Sequence, residues 1–136
     1  MKRMLFLLVF LPMTLLAQNS LKVKVKNVAH STGKINIAVY NSSNDFLSFN
    51  HAYKVESGQA VKEETMVEFT DLPSGTYAFA VFHDENANGV LDTNFLGIPK
   101  EPVGFSIGKM KTFGPPSFQE CSFQINTNKE ITVSLK

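Results

Sequence analysis

Tryptophan is missing from this sequence and cysteine occurs once, at Cys121. A single thiol excludes an intramolecular disulfide framework. Without tryptophan a flat stacking platform for sugars is weakened, although Tyr40, Tyr53 and the phenylalanines leave room for an aromatic patch. Charge of one sign is lacking too, with 13 basic and 12 acidic side chains. That balance provides no electrostatic footprint for nucleic acid or for an anionic membrane. Helical spacing of apolar residues is not sustained in any window after residue 17, and no later run is long and apolar enough to span a bilayer.

The exception lies at the start. Met1-Lys2-Arg3 is basic, Met4 to Leu16 is apolar, and Ala17 follows Leu15-Leu16 at a plausible cut. This pattern predicts a secretory signal peptide over 1–17 and an exported product, periplasmic or extracellular, comprising residues 18–136 as one domain. Losing Lys2 and Arg3 would turn the formal charge from +1 to −1. No lipidation cysteine follows the apolar run, so the mature chain is expected to carry neither a lipid anchor nor a transmembrane segment.

The remainder reads as strands. Leu21, Val23 and Val25 alternate with Lys22, Lys24 and Lys26, the period-two signature of a half-buried strand whose lysines discourage edge pairing. Ile35, Ile37 and Val39 repeat it after the Ser31-Thr32-Gly33 turn. Shorter segments follow at Tyr53–Val55 and Met66–Phe69, and the turn Asp71-Leu72-Pro73-Ser74-Gly75 leads into Thr76–Phe82. That last strand is apolar on both faces and should be central. Cys121–Ile125 and Ile131–Leu135 close the chain, and Cys121 shares the parity of Phe123 and Ile125, which predicts a small buried core residue rather than a nucleophile. About seven short strands predict an all-β, Ig-like or prealbumin-like Greek-key sandwich, with a closed β-barrel as the alternative. Residues 83–116 interrupt the alternation with five glycines and four prolines. Their apolar content predicts an ordered functional loop packed over the sandwich.

Chemistry concentrates at His83-Asp84-Glu85-Asn86-Ala87-Asn88-Gly89-Val90-Leu91-Asp92. Asp84, Asn86 and Asn88 are spaced by two, Gly89 supplies a sharp turn, and Asp92 comes three residues later. The order matches the first nine positions of a calcium loop, in which alternate oxygens converge and a backbone carbonyl, here that of Val90, adds a ligand. The twelfth position should be a bidentate Glu and is Phe95, so Asn94, Glu101 or water would have to substitute. Two readings stand side by side: a weak calcium site at Asp84, Asn86, Asn88, Val90 and Asp92, or a metal-free turn capped by Asx hydrogen bonds. A transition-metal site would need His83 to meet His51 or His30. His83 also continues the core parity of Tyr77, Phe79 and Val81, which predicts a ring partly in water at the end of that stripe. Gly104-Phe105-Ser106-Ile107-Gly108 has the form of a nucleophile elbow but lacks the strand-turn-helix setting which that motif requires.

Four segments carry a resemblance: Leu72-Pro73-Ser74-Gly75-Thr76-Tyr77-Ala78, the stretch His83 to Asp92, Gly97 to Ser106, and Gly114-Pro115-Pro116-Ser117-Phe118. Together they resemble a family of small exported bacterial proteins known only as domain of unknown function 2141. The resemblance implies an exported single domain and brings no activity, ligand or catalytic residue. More loosely, the strand start at Leu72 to Tyr77 is similar to prealbumin-like and collagen-adhesin B-type sandwiches, some relatives of which bear acidic calcium loops. The function expected is a non-enzymatic binding or structural module acting on an unknown ligand or envelope protein. The alternative is a small envelope hydrolase using His83 with Asp84, Asp92 or Glu101.

Overall fold

The structure, a computed structural model, describes residues 18–107 and 110–136. The expected leader at 1–17 lies outside the described residues, as does Gly108. Among the described residues eight strands form, β1 (Gln18–Val28), β2 (Lys34–Tyr40), β3 (Lys54–Gln59), β4 (Glu63–Pro73), β5 (Gly75–Asp84), β6 (Val103–Phe105), β7 (Phe123–Ile125) and β8 (Lys129–Ser134). A 3-10 turn at Phe49–His51 and a short helix α1 at Phe118–Cys121 complete the set. Two sheets result, one of order β4-β1-β8 and one of order β3-β2-β5-β6 with β7 also on β5. They stay separate, so the molecule is a sandwich and not a closed barrel.

Side-chain parity builds the core. Leu21, Val23 and Val25 from β1 face Ile35, Ile37 and Val39 from β2, with Val67, Phe69 and Leu72 from β4 and Tyr77, Phe79 and Val81 from β5 between the same layers. Strand β5 is central, as its composition predicts: β2 pairs along one side, while β6 and β7 share the other at Ala80–Phe82 and Gly75–Tyr77. Its second face is covered as well. Ala78 and Phe82 pack with Val103, Phe105 and Cys121, and Phe46, Leu91 and Phe118 close over them.

Three expectations need correction. The lysines of β1 do not guard an edge, because β1 is the middle strand of its sheet and Lys24 instead meets Glu64 and Glu130 of the flanking strands at 4.0 and 3.5 Å. The 83–116 segment contains a strand, β6, too short for alternation to show. It packs over the sandwich only in part: Val103 and Phe105 are buried, yet Phe95 and Phe113 are 95% and 92% exposed. Cys121 is buried, but at the end of α1 in the outer cluster rather than in a strand with Phe123.

Helix α1 has a full capping box, with the Ser117 side chain accepting from the Glu120 N–H and Glu120 accepting from the Ser117 N–H at 2.7 Å. The Lys111 ammonium at 2.8 Å, with the two Ser117 bonds, holds the Glu120 carboxyl down to about 2. Because the folded value is depressed, the cap is intact above the usual carboxylate range and is lost only as pH falls toward about 2. A carboxyl titration by NMR should show that displaced midpoint, and Lys111→Ala should move it upward.

A buried aspartate anchors the candidate loop site

β5 alternates between the two cores, and its last two residues inherit that alternation. His83 falls in the inner stripe with Tyr77, Phe79 and Val81, while Asp84 falls on the outer face with Phe82. Both are buried, Asp84 to 1% exposure. The ring of His83 is therefore not partly wet, contrary to expectation. Its Nε2 lies 2.8 Å from the Thr32 carbonyl oxygen, and its backbone N–H donates to the Pro102 carbonyl at 3.0 Å. The Ser31-Thr32-Gly33 turn thus grips the root of the site. Gly33 sits at φ +74°, and a Cβ there would collide with the Asp84 carbonyl oxygen, so this turn tolerates only glycine.

A buried carboxylate is costly unless hydrogen bonds replace its water. Asp84 has three donors. Oδ1 accepts from the Asn88 N–H at 3.0 Å; Oδ2 accepts from the Gly89 N–H at 2.8 Å and from the Asn36 amide at 3.2 Å. Gly89 at φ +80° and Ala87 at φ 57° bend the chain so that these N–H groups point back at it. Asn36 in turn accepts from the Ser57 hydroxyl at 2.6 Å, which carries the network across β2 to β3.

The outer half of the loop is held by Asp92. Asn86 donates to its Oδ2 at 2.7 Å, and the Asn88 amide reaches both of its oxygens at 3.2 and 3.3 Å. The Asn86 and Asn88 side-chain oxygens accept from the Asn88 and Val90 N–H groups two residues on, at 3.1 and 2.9 Å. These are Asx turns. Asp84, Asn86, Asn88 and Asp92 therefore belong to one network. Val90 joins it through its N–H.

Glu101 matters more than its sequence position suggests. Mostly buried, it accepts from the Glu85 N–H at 2.9 Å with one oxygen and from the Asp92 N–H at 3.0 Å with the other, so it clamps both limbs of the loop. Asn94, the other proposed substitute, turns away and caps its own turn through Leu96 and Ile98. Glu85, Asn86, Asp92, Thr93, Lys100 and Glu101 line an open polar basin beside this clamp. Among the described residues no three His, Cys, Asp or Glu side chains group closely enough to hold a metal alone. An ion in the basin would have to draw on amide, carbonyl and water oxygens as well. His51 sits beside Asp45 and Ser48, apart from buried His83, so the three histidines form no shared site.

Asn36 escaped the sequence reading, yet a signal existed: it is the one amide in the run Ile35 to Val39. Ser106, of the elbow-like pentapeptide, is structural. Its hydroxyl donates to the Cys121 carbonyl and accepts from the Phe79 N–H at 3.1 Å, with the side chain buried between them.

Residues 23–133 match the family described as an uncharacterized protein conserved in bacteria, DUF2141. The chain belongs to that family. No curated protein and no solved structure was matched. The DUF2141 match takes in both sheets and the whole 84–101 loop, and the segments that resemble the family coincide with the turn into β5, the Asp84–Asp92 network and the Glu101 clamp.

Two variants test this geometry. Asp84→Ala should cost about 2–4 kcal/mol in chemical denaturation, because three buried or half-buried donors lose their acceptor. Gly89→Val should cost about 1–3 kcal/mol from backbone strain alone, with or without metal, since nothing lies within 4 Å of its added Cβ. Wild-type stability in either variant would contradict the network.

Proposed function

We propose that this DUF2141 domain is an exported, non-catalytic binding or structural module of the bacterial envelope, whose 84–92 loop takes calcium weakly at the polar basin. The observation that supports this most is the polar basin lined by both the Asp92 and Glu85 carboxylates, beside the Asn86 and Asn88 amides that already meet Asp92. Hard oxygen donors of this kind suit calcium better than a metal demanding nitrogen or sulfur.

Asp84 takes a different role from the one its motif position suggests. Its oxygens are committed to three N–H donors and those of Glu101 to two, so both shape the loop, and the ion would rest on Asp92 and Glu85, with water and the amide oxygens of Asn86 and Asn88 released from their Asx turns. Bound calcium would neutralise carboxylates on both limbs and stiffen the neck between them. Lys100 on the basin wall opposes the cation, and few carboxylates face it, which places affinity in the roughly 10⁻⁴–10⁻³ M range of extracellular modules. At a Kd of ~0.1 mM in ~1 mM calcium, linkage adds about 1.4 kcal/mol to stability.

The hydrolase alternative draws no support from this arrangement. A general base must reach its substrate, whereas His83 is enclosed and Glu101 spends both oxygens on backbone N–H groups.

Thermal melting of residues 18–136 tests the calcium reading. Millimolar calcium should raise the midpoint by a few degrees over chelator, magnesium should do less, and Asp92→Asn should abolish the rise while remaining folded. Identical melting of the wild type in calcium and chelator would leave only the metal-free turn.

A further inference from the structure

Asn88-Gly89 is the only Asn-Gly step in the chain, and hydrogen bonds meet it from three directions. The Gly89 N–H donates to Asp84 Oδ2 at 2.8 Å. Asn88 Oδ1 accepts from the Val90 N–H at 2.9 Å, and Asn88 Nδ2 donates to the two oxygens of Asp92 at 3.2 and 3.3 Å. A carboxylate thus faces the backbone nitrogen, an N–H faces the side-chain carbonyl, and a second carboxylate faces the amide nitrogen.

These are the groups that cyclisation of an asparagine uses. The ring closed by the Val90 hydrogen bond runs through Cγ, Cβ, Cα and C′ of Asn88 and N of Gly89, and those are the atoms of a succinimide ring. The Asx turn therefore curls the reacting segment in advance, and orientation of this kind lowers a barrier by removing the search for it. Gly89 has no side chain to shield its nitrogen, and nothing lies within 4 Å of where a Cβ would stand. Asn88 itself is exposed, so water has access.

We propose that Asn88 is a self-modification site, converted by the loop's own groups to aspartate through a succinimide. The Gly89 nitrogen bonds to Asn88 Cγ while its proton passes to Asp84 Oδ2. Charge developing on Oδ1 is met by the Val90 N–H. The Cγ–Nδ2 bond then breaks, and Nδ2 takes the proton, relayed from Asp84 by solvent, and leaves as ammonia. Water next adds to Cγ, the carbonyl that Val90 polarises, and the bond from Cγ to the Gly89 nitrogen opens. The backbone is restored with its N–H, and a carboxyl stands where the amide stood. In sum, amide and water give carboxylic acid and ammonia, which ionise to carboxylate and ammonium.

The product changes the basin. With oxygen in place of Nδ2, two carboxylates face each other across a contact that is now a hydrogen bond to Asp92. Like charges so placed repel unless a cation lies between them. A third carboxylate beside Glu85 and Asp92 also raises the charge that calcium meets. Asn88 thus closes the metal-free turn, and its conversion opens the cation site. This consequence rests on the calcium reading of the basin, whereas the conversion itself does not.

The test is incubation of the purified protein at neutral pH and physiological temperature, followed by peptide mapping in a mass spectrometer. The peptide carrying Asn88 should gain the mass of an amide-to-carboxylate exchange about tenfold faster in the folded protein than in guanidinium-unfolded protein. The product should be mainly aspartate rather than isoaspartate. Asn88→Gln, whose longer side chain would have to close a larger ring, should gain no such mass while remaining folded. Conversion that is equal or slower in the folded protein, or that yields mainly isoaspartate, would overturn the proposal, since both mark the ordinary lability of an Asn-Gly step. Asn88→Asp, which makes the product directly, should bind calcium about tenfold more tightly than freshly prepared wild type in titration calorimetry. Fold-promoted conversion with no calcium gain in Asn88→Asp would uphold the modification and remove its consequence for the basin. Calcium binding without conversion would uphold the basin and overturn the modification.

Discussion

A buried carboxylate is the constraint around which this end of the molecule is arranged. Asp84 leaves β5 on the outer face of the five-stranded sheet, beneath the loop that follows it, where water cannot solvate it. Its charge is compensated by N–H dipoles from two directions: Asn88 and Gly89 from the loop it initiates, and Asn36 from the adjacent strand. Charge-assisted hydrogen bonds are stronger than neutral ones, and these also dictate shape. The loop must turn back on itself to bring the donors within reach, which is why Ala87 and Gly89 both take positive φ.

That bend determines what the outer loop can do. Once the first turn is wound around Asp84, Asn86 and Asn88 are brought over Asp92, and the limb that returns toward β6 delivers Glu101 to the neck. Glu101 reaches both limbs because the Pro102 carbonyl is tied to the His83 N–H, which aligns the two segments side by side. Inner core, buried anchor, clamped neck and polar basin therefore form one continuous chain of contacts from the strand outward. In the hairpin beyond it, Asn94 closes the Phe95-Leu96 turn from within by accepting from the Leu96 and Ile98 N–H groups.

Much of this was legible in the residues themselves. Alternation over Leu21–Val25 and Ile35–Val39, and the double-sided apolarity of Thr76–Phe82, placed three principal strands, and turn chemistry at Asp71–Gly75 marked the join between β4 and β5. The Asp84–Asp92 spacing singled out the loop and its glycine. Other features were not legible. β6 has three residues, too few for a period to register, and its burial depends on Cys121 and Phe118, which are close in space but distant in sequence. His83 reads as a partly wet strand end because parity says which face a side chain takes and says nothing of what covers that face. The coverage comes from the Ser31-Thr32-Gly33 turn, whose Thr32 carbonyl meets the ring.

The sequence alone determined the local conformations: which segments extend, where the chain must turn, and that one turn is lined with oxygens. These follow from steric and hydrogen-bonding preferences acting over a few residues. Only the tertiary structure decided the roles of those oxygens, making Asp84 an anchor, Asp92 a collector and Glu101 a clamp. The physical reason is that a carboxylate's role depends on its solvation and on the donors facing it. Asn36 supplies such a donor from β2, and Glu85 and Gly89 supply others from the loop after β5.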